Sequence, residues 1–239
     1  RLLPLDCVVS AEEYPEVSDA AVVDGGGVWV DGARATVTVG NGNVSVGNIN
    51  GNTAANLYND NTSDQFNTEM DGFTITLSFK APVNPGEENT IRIGLADGGD
   101  SAYDTNVLIA ADSVQTVALA FEDSVTMEAN TTAVIDVLAN ERDSAGDGRS
   151  ITEINGQAVV PGDSVTLNTG EVVTLNSDYT FSVETDADLG ETVFTYTVEN
   201  GDGVSDVGYV IIQTVADAPL DGIVEGSGTD DVIDASFAG

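Results

Sequence analysis

Across residues 73–79 the chain reads Phe-Thr-Ile-Thr-Leu-Ser-Phe, with Phe73, Ile75, Leu77 and Phe79 at every second position. A period of two places these four side chains on one face of a strand and Thr74, Thr76 and Ser78 on the other. That is the pattern of a half-buried antiparallel strand. Pro82 and Pro85-Gly86 end it. The same period recurs at residues 28–30, 35–39, 44–46, 90–96 and 106–110, and helical periodicity is scarce. Asp31-Gly32 is a two-residue hairpin signal between β-rich runs, and residues 40–43 form the next turn.

A seam falls near residues 117–123. Beyond it a second series of strands is expected at 124–128, 133–137, 150–154, 164–167, 171–175, 180–183, 192–199 and 208–214. Turn signals such as Asn155-Gly156, Pro161-Gly162 and Asn200-Gly201 recur about every ten residues, as a sandwich requires. Ala216-Asp217-Ala218-Pro219 reads as a linker into a Gly- and Asp-rich end. The expected architecture is all-β: two tandem antiparallel β-sandwiches over residues 1–120 and 121–215, then a short tail over 216–239.

Charge narrows the function. The chain has 41 Asp plus Glu against 6 Lys plus Arg, a formal net charge of −35. Such a surface repels phosphate backbones and anionic headgroups, which argues against nucleic acid and membrane partners. It attracts cations. A solvated surface adapted to salt and a set of Ca²⁺ ligands are compatible readings, since Ca²⁺ takes six to eight hard oxygen ligands. The absence of His removes the commonest general base and transition-metal ligand, and no phosphate-cradling glycine motif precedes a helix, so no enzyme is expected. The single cysteine, Cys7, reads as a small buried residue. No run approaches about 20 apolar residues, so no membrane-spanning helix is expected. Residues 1–9 are apolar but carry Pro4 and Asp6, lack a signal-peptide cleavage pattern and begin without Met. A processed or truncated piece of a longer protein is expected.

Three segments resemble known families. Ser10–Glu16, Asn48-Ile49-Asn50, Asn56-Leu57-Tyr58, Thr68–Thr74 and Ile93–Asp104 resemble the second half of the choice-of-anchor L domain of bacterial surface proteins. This resemblance implies a jelly-roll-like, extracellular domain whose first half is missing, leaving strand edges that another chain would cover by edge addition. Asp136–Asp143, Tyr179-Thr180-Phe181 and Phe194–Gly203 resemble the cadherin-like or Ig-like repeats of large bacterial adhesins. Gly226–Asp234 resembles one turn of the RTX nonapeptide, in which glycines permit tight turns and Asp side chains share Ca²⁺ between stacked turns.

The candidate Ca²⁺ ligands follow. Asp97, Asp100 and Asp104 share one glycine-containing loop, with Glu12 and Glu13 approaching it across the sandwich. Glu122, Asp123, Asp136, Asn140 and Asp143 bracket the start of the second unit, where an ion would neutralise carboxylates at a hinge. Asp230 and Asp231 belong to the RTX-like turn. Asp202 and Asp206 read as turn residues beside Gly203. Trp29, Tyr58 and Tyr103 are packing residues or, if exposed, platforms for sugar rings. The function expected is an extracellular, calcium-binding structural or adhesive protein of a bacterial surface. It would associate with itself or with other surface proteins, and assemble into filaments or a layer by strand-edge pairing. The alternatives are a glycan-binding module and a non-catalytic spacer of a larger exported protein.

Overall fold

The computed structural model describes residues 1–14, 25–37, 44–96, 104–115, 118–140 and 148–216, and all of its sheets confirm an all-β protein. The first unit is built from β1 (Leu2–Ala11), β2 (Gly25–Val30), β3 (Ala33–Arg34), β4 (Val44–Ser45), β5 (Tyr58–Asp60), β6 (Gly72–Thr74), β7 (Leu77–Pro82), β8 (Ile91–Ala96) and β9 (Thr105–Ile109). Its two sheets centre on β1 and β2. Along one edge β1 pairs with β7 and β6, and along the other with β9. Likewise β2 pairs with β3 and β4 on one side and with β8 on the other. The apolar run at the start of the chain is therefore a central strand. It lacks alternation because both of its faces are covered. Pro4 sits where β1 has only β7 as a neighbour, so its missing N–H leaves no gap in a ladder.

Asp31 and Gly32 both have positive φ, 50° and 82°, the two-residue turn expected between β2 and β3. Two other expectations are corrected. Of the strand predicted over 35–39, the described residues 35–37 hold only an isolated bridge from Thr36 to Lys80, regular pairing with β2 having ended at β3, and 38–43 lie outside them. The strand predicted over 73–79 is broken at Ile75-Thr76 into β6 and β7. Moreover, β7 is not half-buried: Leu77 and Phe79 enter the first core, but Ser78 on its other face is buried too. The cover for that second face comes from the second unit.

That unit comprises β10 (Glu122–Glu128), β11 (Thr132–Ile135), β12 (Ser150–Ile154), β13 (Gln157–Ala158), β14 (Ser164–Thr166), β15 (Val172–Leu175), β16 (Phe181–Glu184), β17 (Gly190–Glu199) and β18 (Ser205–Val215). Sheets β10-β18-β17-β12-β13 and β11-β16-β15-β14 enclose a core that includes Phe181, Phe194 and Tyr196. The Phe194 and Tyr196 rings both meet Phe181 edge-on, at 5.8 Å. One ladder departs from the antiparallel expectation: β10 runs parallel to β18. Asn155 and Gly156 form the expected left-handed turn between β12 and β13, at φ 51° and 72°. Gly208 lies under the Tyr196 ring, where a Cβ would approach within 2.4 Å.

β17 and β18 are buried on both faces. Phe194, Tyr196, Val210 and Ile212 point into the second core, whereas Val193 and Tyr209 belong to the first. The two units thus share strands as a common wall. Each fully buried apolar side chain contributes about 1.5–3 kcal/mol, so a shared wall couples the stability of both units.

Candidate functional site

The densest chemistry lies in that wall. Asp206, on β18, is fully buried, and its carboxylate lies 3.3 Å from the Lys80 ammonium of β7. Its Oδ2 accepts backbone N–H bonds from Leu119 (2.8 Å) and Ala120 (2.9 Å), and its Oδ1 accepts from the Val207 N–H (2.8 Å) and the Ser78 hydroxyl (3.2 Å). Lys80 also donates to the carbonyls of Val207 (2.9 Å) and Ala120. The Tyr209 hydroxyl accepts the Ser78 N–H at 2.8 Å. A buried charge is tolerable only when paired and fully hydrogen-bonded, and Asp206 meets that condition with partners from both units. This corrects the reading of Asp206 as a turn residue beside Asp202.

Asp6, on β1 opposite Ser78, completes the cluster. Its Oδ1 is buried without a hydrogen-bond partner. Burial pushes its carboxyl up to about 6, the Ser78 hydroxyl pulls it down, the Asp206 charge raises it and Lys80 lowers it. The neighbouring Cys7 thiol is pushed up to about 12, first by burial and then by Asp6, so it is an inert core group.

A second stitch joins the units at the 3₁₀ turn Ala55–Leu57. The buried Asn56 side chain donates to the Val193 carbonyl (3.2 Å) and the Thr169 hydroxyl (2.8 Å) and accepts the Thr169 N–H (3.1 Å). Its own carbonyl accepts from the Asn155 side chain at 2.7 Å. The segment Asn56-Leu57-Tyr58 therefore serves the joint, and Tyr58 is buried against Tyr14, with ring centroids 4.7 Å apart, rather than presented to solvent.

Among the predicted calcium ligands, Asp123 and Asn140 meet directly. Asn140 Nδ2 donates to Asp123 Oδ1 and to the Glu122 carbonyl, both at 3.0 Å, and the Tyr196 hydroxyl reaches Asp123 Oδ2 at 3.1 Å. The Asp123 carboxyl is pushed up to about 6. Burial dominates, the Tyr196 and Asn140 hydrogen bonds oppose it, and the Asp136 and Glu122 charges add to it. Asp136 itself accepts the Leu138 N–H at 3.2 Å. At the other rim Glu12 and Asp104 also meet: Glu12 Oε2 accepts the Asp104 N–H at 3.2 Å, and the Glu12 N–H donates to the Asp104 carbonyl at 3.1 Å. Glu13 is buried. Asp97, Asp100, Asp143, Asp230 and Asp231, with Tyr103, lie outside the described residues. Among the described residues no three acidic or other metal-ligating side chains converge closely enough to hold an ion, so these residues alone do not make up a metal site.

Residues 3–115 match the family model of the choice-of-anchor L domain, and residues 114–213 match that of the bacterial Ig domain. No curated protein matches the chain. Among known structures, the chain is similar to a nucleoside hydrolase-related hypothetical protein from Saccharophagus degradans that is associated with carbohydrate metabolism. That likeness has 14% identity and a TM-score of 0.28, and covers 44% of this chain and 24% of that one. It is also similar to immunoglobulin domains 1–4 of Sidekick-1, with 8% identity and a TM-score of 0.29, over 82% of this chain and 40% of that one. The chain thus spans less than half the length of either. Neither matched domain type is an enzymatic family, and both fit a surface-associated adhesive or structural module. Among the described residues no helix is long and apolar enough to cross a membrane. In its first half the chain is thus similar to a choice-of-anchor L domain and in its second to a bacterial Ig domain.

Proposed function

We propose that this chain is a stiff extracellular structural and adhesive module of a bacterial surface, which joins a second copy of itself by strand-edge pairing and is stabilised by Ca²⁺ at its acidic rims. The observation that carries the reading is the open side of the first unit. The Thr36–Lys80 bridge links its two sheets on one side. On the opposite side the outermost strands are β8, paired only with β2, and β9, paired only with β1, among the described residues. Ile93 and Leu95 share a face with the buried Val28, yet they are 41% and 47% exposed; Ile109 is 48% exposed and Leu108 64%. Edge strands are ordinarily blunted by charge or proline. Here β8 and β9 contain no acid, in a chain with 41 of them. Their one charged residue is Arg92, so β8 of one copy can pair with β9 of another without opposing like charges at the contact.

Calcium enters the proposal as a counter-ion. Asp123 is a half-buried carboxylate crowded by Asp136 and Glu122, and a cation there would relieve the repulsion that the Asn140 amide now offsets. Sedimentation velocity over a range of protein concentrations, with calcium and with chelator, tests both parts. The expected result is a concentration-dependent dimer or larger species, abolished by Ile93→Lys. A monomer at every concentration rejects edge pairing. Thermal unfolding should shift upward with calcium by roughly 5–10 °C at saturation, since about 2.7 kcal/mol accrues at a hundredfold excess over Kd. An unchanged midpoint rejects structural calcium.

A further inference from the structure

We infer that the outer face of the β2 sheet is a binding site for an acidic polysaccharide, a sugar chain bearing carboxylates. In the antiparallel ladders Trp29 lies directly opposite Arg34 on β3 and directly opposite Arg92 on β8. Residues directly opposite share a face, so the three side chains form an Arg–Trp–Arg row about 10 Å across. Both arginines are exposed, and neither makes an ion pair or hydrogen bond among the described residues. They are two of only six cationic side chains in a chain of net charge −35, and β2, β3, β4 and β8 contain no acid at all. Apart from Asp31 in the β2–β3 turn, whose Oδ1 accepts the Thr90 N–H at 2.8 Å, the charges of these strands are positive in a strongly negative molecule.

The row stands over a floor without side chains. Gly27 and Gly94 are paired beside Trp29, and a Cβ at either would lie 2.6 Å and 3.1 Å from the indole ring. The ring therefore lies flat on the glycine backbone with its other face outward, and it is half-buried. A shallow open trough of about 380 Å³ runs from Trp29 and Arg34 over these glycines.

Each part suits a carboxylated sugar. The indole face offers an apolar surface to the C–H face of a pyranose, the flat floor admits a broad ring, and each guanidinium can hold a carboxylate through two parallel N–H bonds. An acidic peptide fits less well. Peptides gain affinity on sheets by pairing with an unpaired edge; here that edge is β8, and a strand added beyond it would reach Arg92 but not Trp29 and Arg34, which lie further inside the sheet. Arg92 belongs to the β8 edge and Leu95 also lines the trough, so this site adjoins the pairing edge; the titration is run at concentrations where sedimentation shows monomer, which separates binding here from edge pairing.

Trp29 is the sole tryptophan, so intrinsic fluorescence reports this site alone. The wild-type chain, with folding checked by circular dichroism, is titrated with hexagalacturonate, with an uncharged glucose hexamer and with hexaglutamate. Titrations are run in physiological salt (about 0.15 M), with and without calcium. The expected result is a saturable change in emission with hexagalacturonate. Affinity for it should exceed that for the other two at least tenfold, and should fall at least tenfold in Arg34→Gln/Arg92→Gln. No response, or an equal response to the uncharged hexamer, overturns the inference. Binding of hexaglutamate as tight as that of the uronate overturns it in favour of an acidic protein partner. Uronate binding that appears only with calcium and survives the double substitution overturns it in favour of calcium bridging.

Discussion

Replacing Asp206 with Ala should destabilise the whole chain by about 3–5 kcal/mol, the cost of breaking a buried ion pair by removing one partner. The substitution strands the Lys80 ammonium and leaves the N–H groups of Leu119 and Ala120 without their acceptor. Lys80→Met should be comparably damaging, because it leaves Asp206 and Asp6 facing each other without a cation. The combined Lys80→Met/Asp206→Ala variant should lose clearly less than the sum of the single losses, since the two residues act as one unit. Chemical denaturation of the four proteins measures this coupling. Strict additivity would mean that the pair does not clamp the units. Added salt should change the coupling little, because a buried pair is only weakly screened.

The second large effect concerns pH. The Asp6 carboxyl titrates near 6 in the folded chain against an ordinary 3.8. The native state therefore holds this proton more tightly than the unfolded state, and stability falls as pH rises between those two values. Above about pH 6 the ionised Asp6 costs the fold up to about 3 kcal/mol, and below about pH 4 the cost vanishes. Asp6→Asn should accordingly raise the melting temperature at pH 7.5 by roughly 4–10 °C. The gap between variant and wild type should close as the pH approaches 4. Comparing the two proteins removes the general effect of titrating the other carboxylates. A gap that stays constant with pH would mean that Asp6 is not the titrating group.

Much of the second unit was legible in its residues. Each predicted strand from 124 to 214 has a counterpart among β10 to β18; most of β10 to β16 shows alternation, whereas β17 and β18, buried on both faces, were readable from their β-branched and aromatic residues and the Asn200-Gly201 turn between them. Asn155-Gly156 and Asp31-Gly32 were readable as turns, since few other pairs tolerate two consecutive left-handed residues. The shared wall was not legible. Ser78, Lys80 and Asp206 occupy positions that look solvent-facing, and only the three-dimensional approach of β18 to β7 turns them into a buried network. Leu2–Ala11 failed as a strand for the opposite reason: covered on both faces, it has no period to detect. Asp123 and Asn140 were expected as calcium ligands because they bracket the start of the second unit; the hydrogen bond between them is what the structure adds. Arg34, Trp29 and Arg92 are brought together only by strand register, which turns and pairing determine and which no local motif announces.

The central claim is that the two units form one body, with Val193 and Tyr209 of the second completing the core of the first. Differential scanning calorimetry of the intact chain addresses it most directly. One cooperative transition, with calorimetric and van't Hoff enthalpies in agreement and with both falling out of agreement in Asp206→Ala, is the predicted result. Two separate transitions in the wild-type chain, each indifferent to Asp206→Ala, would contradict it.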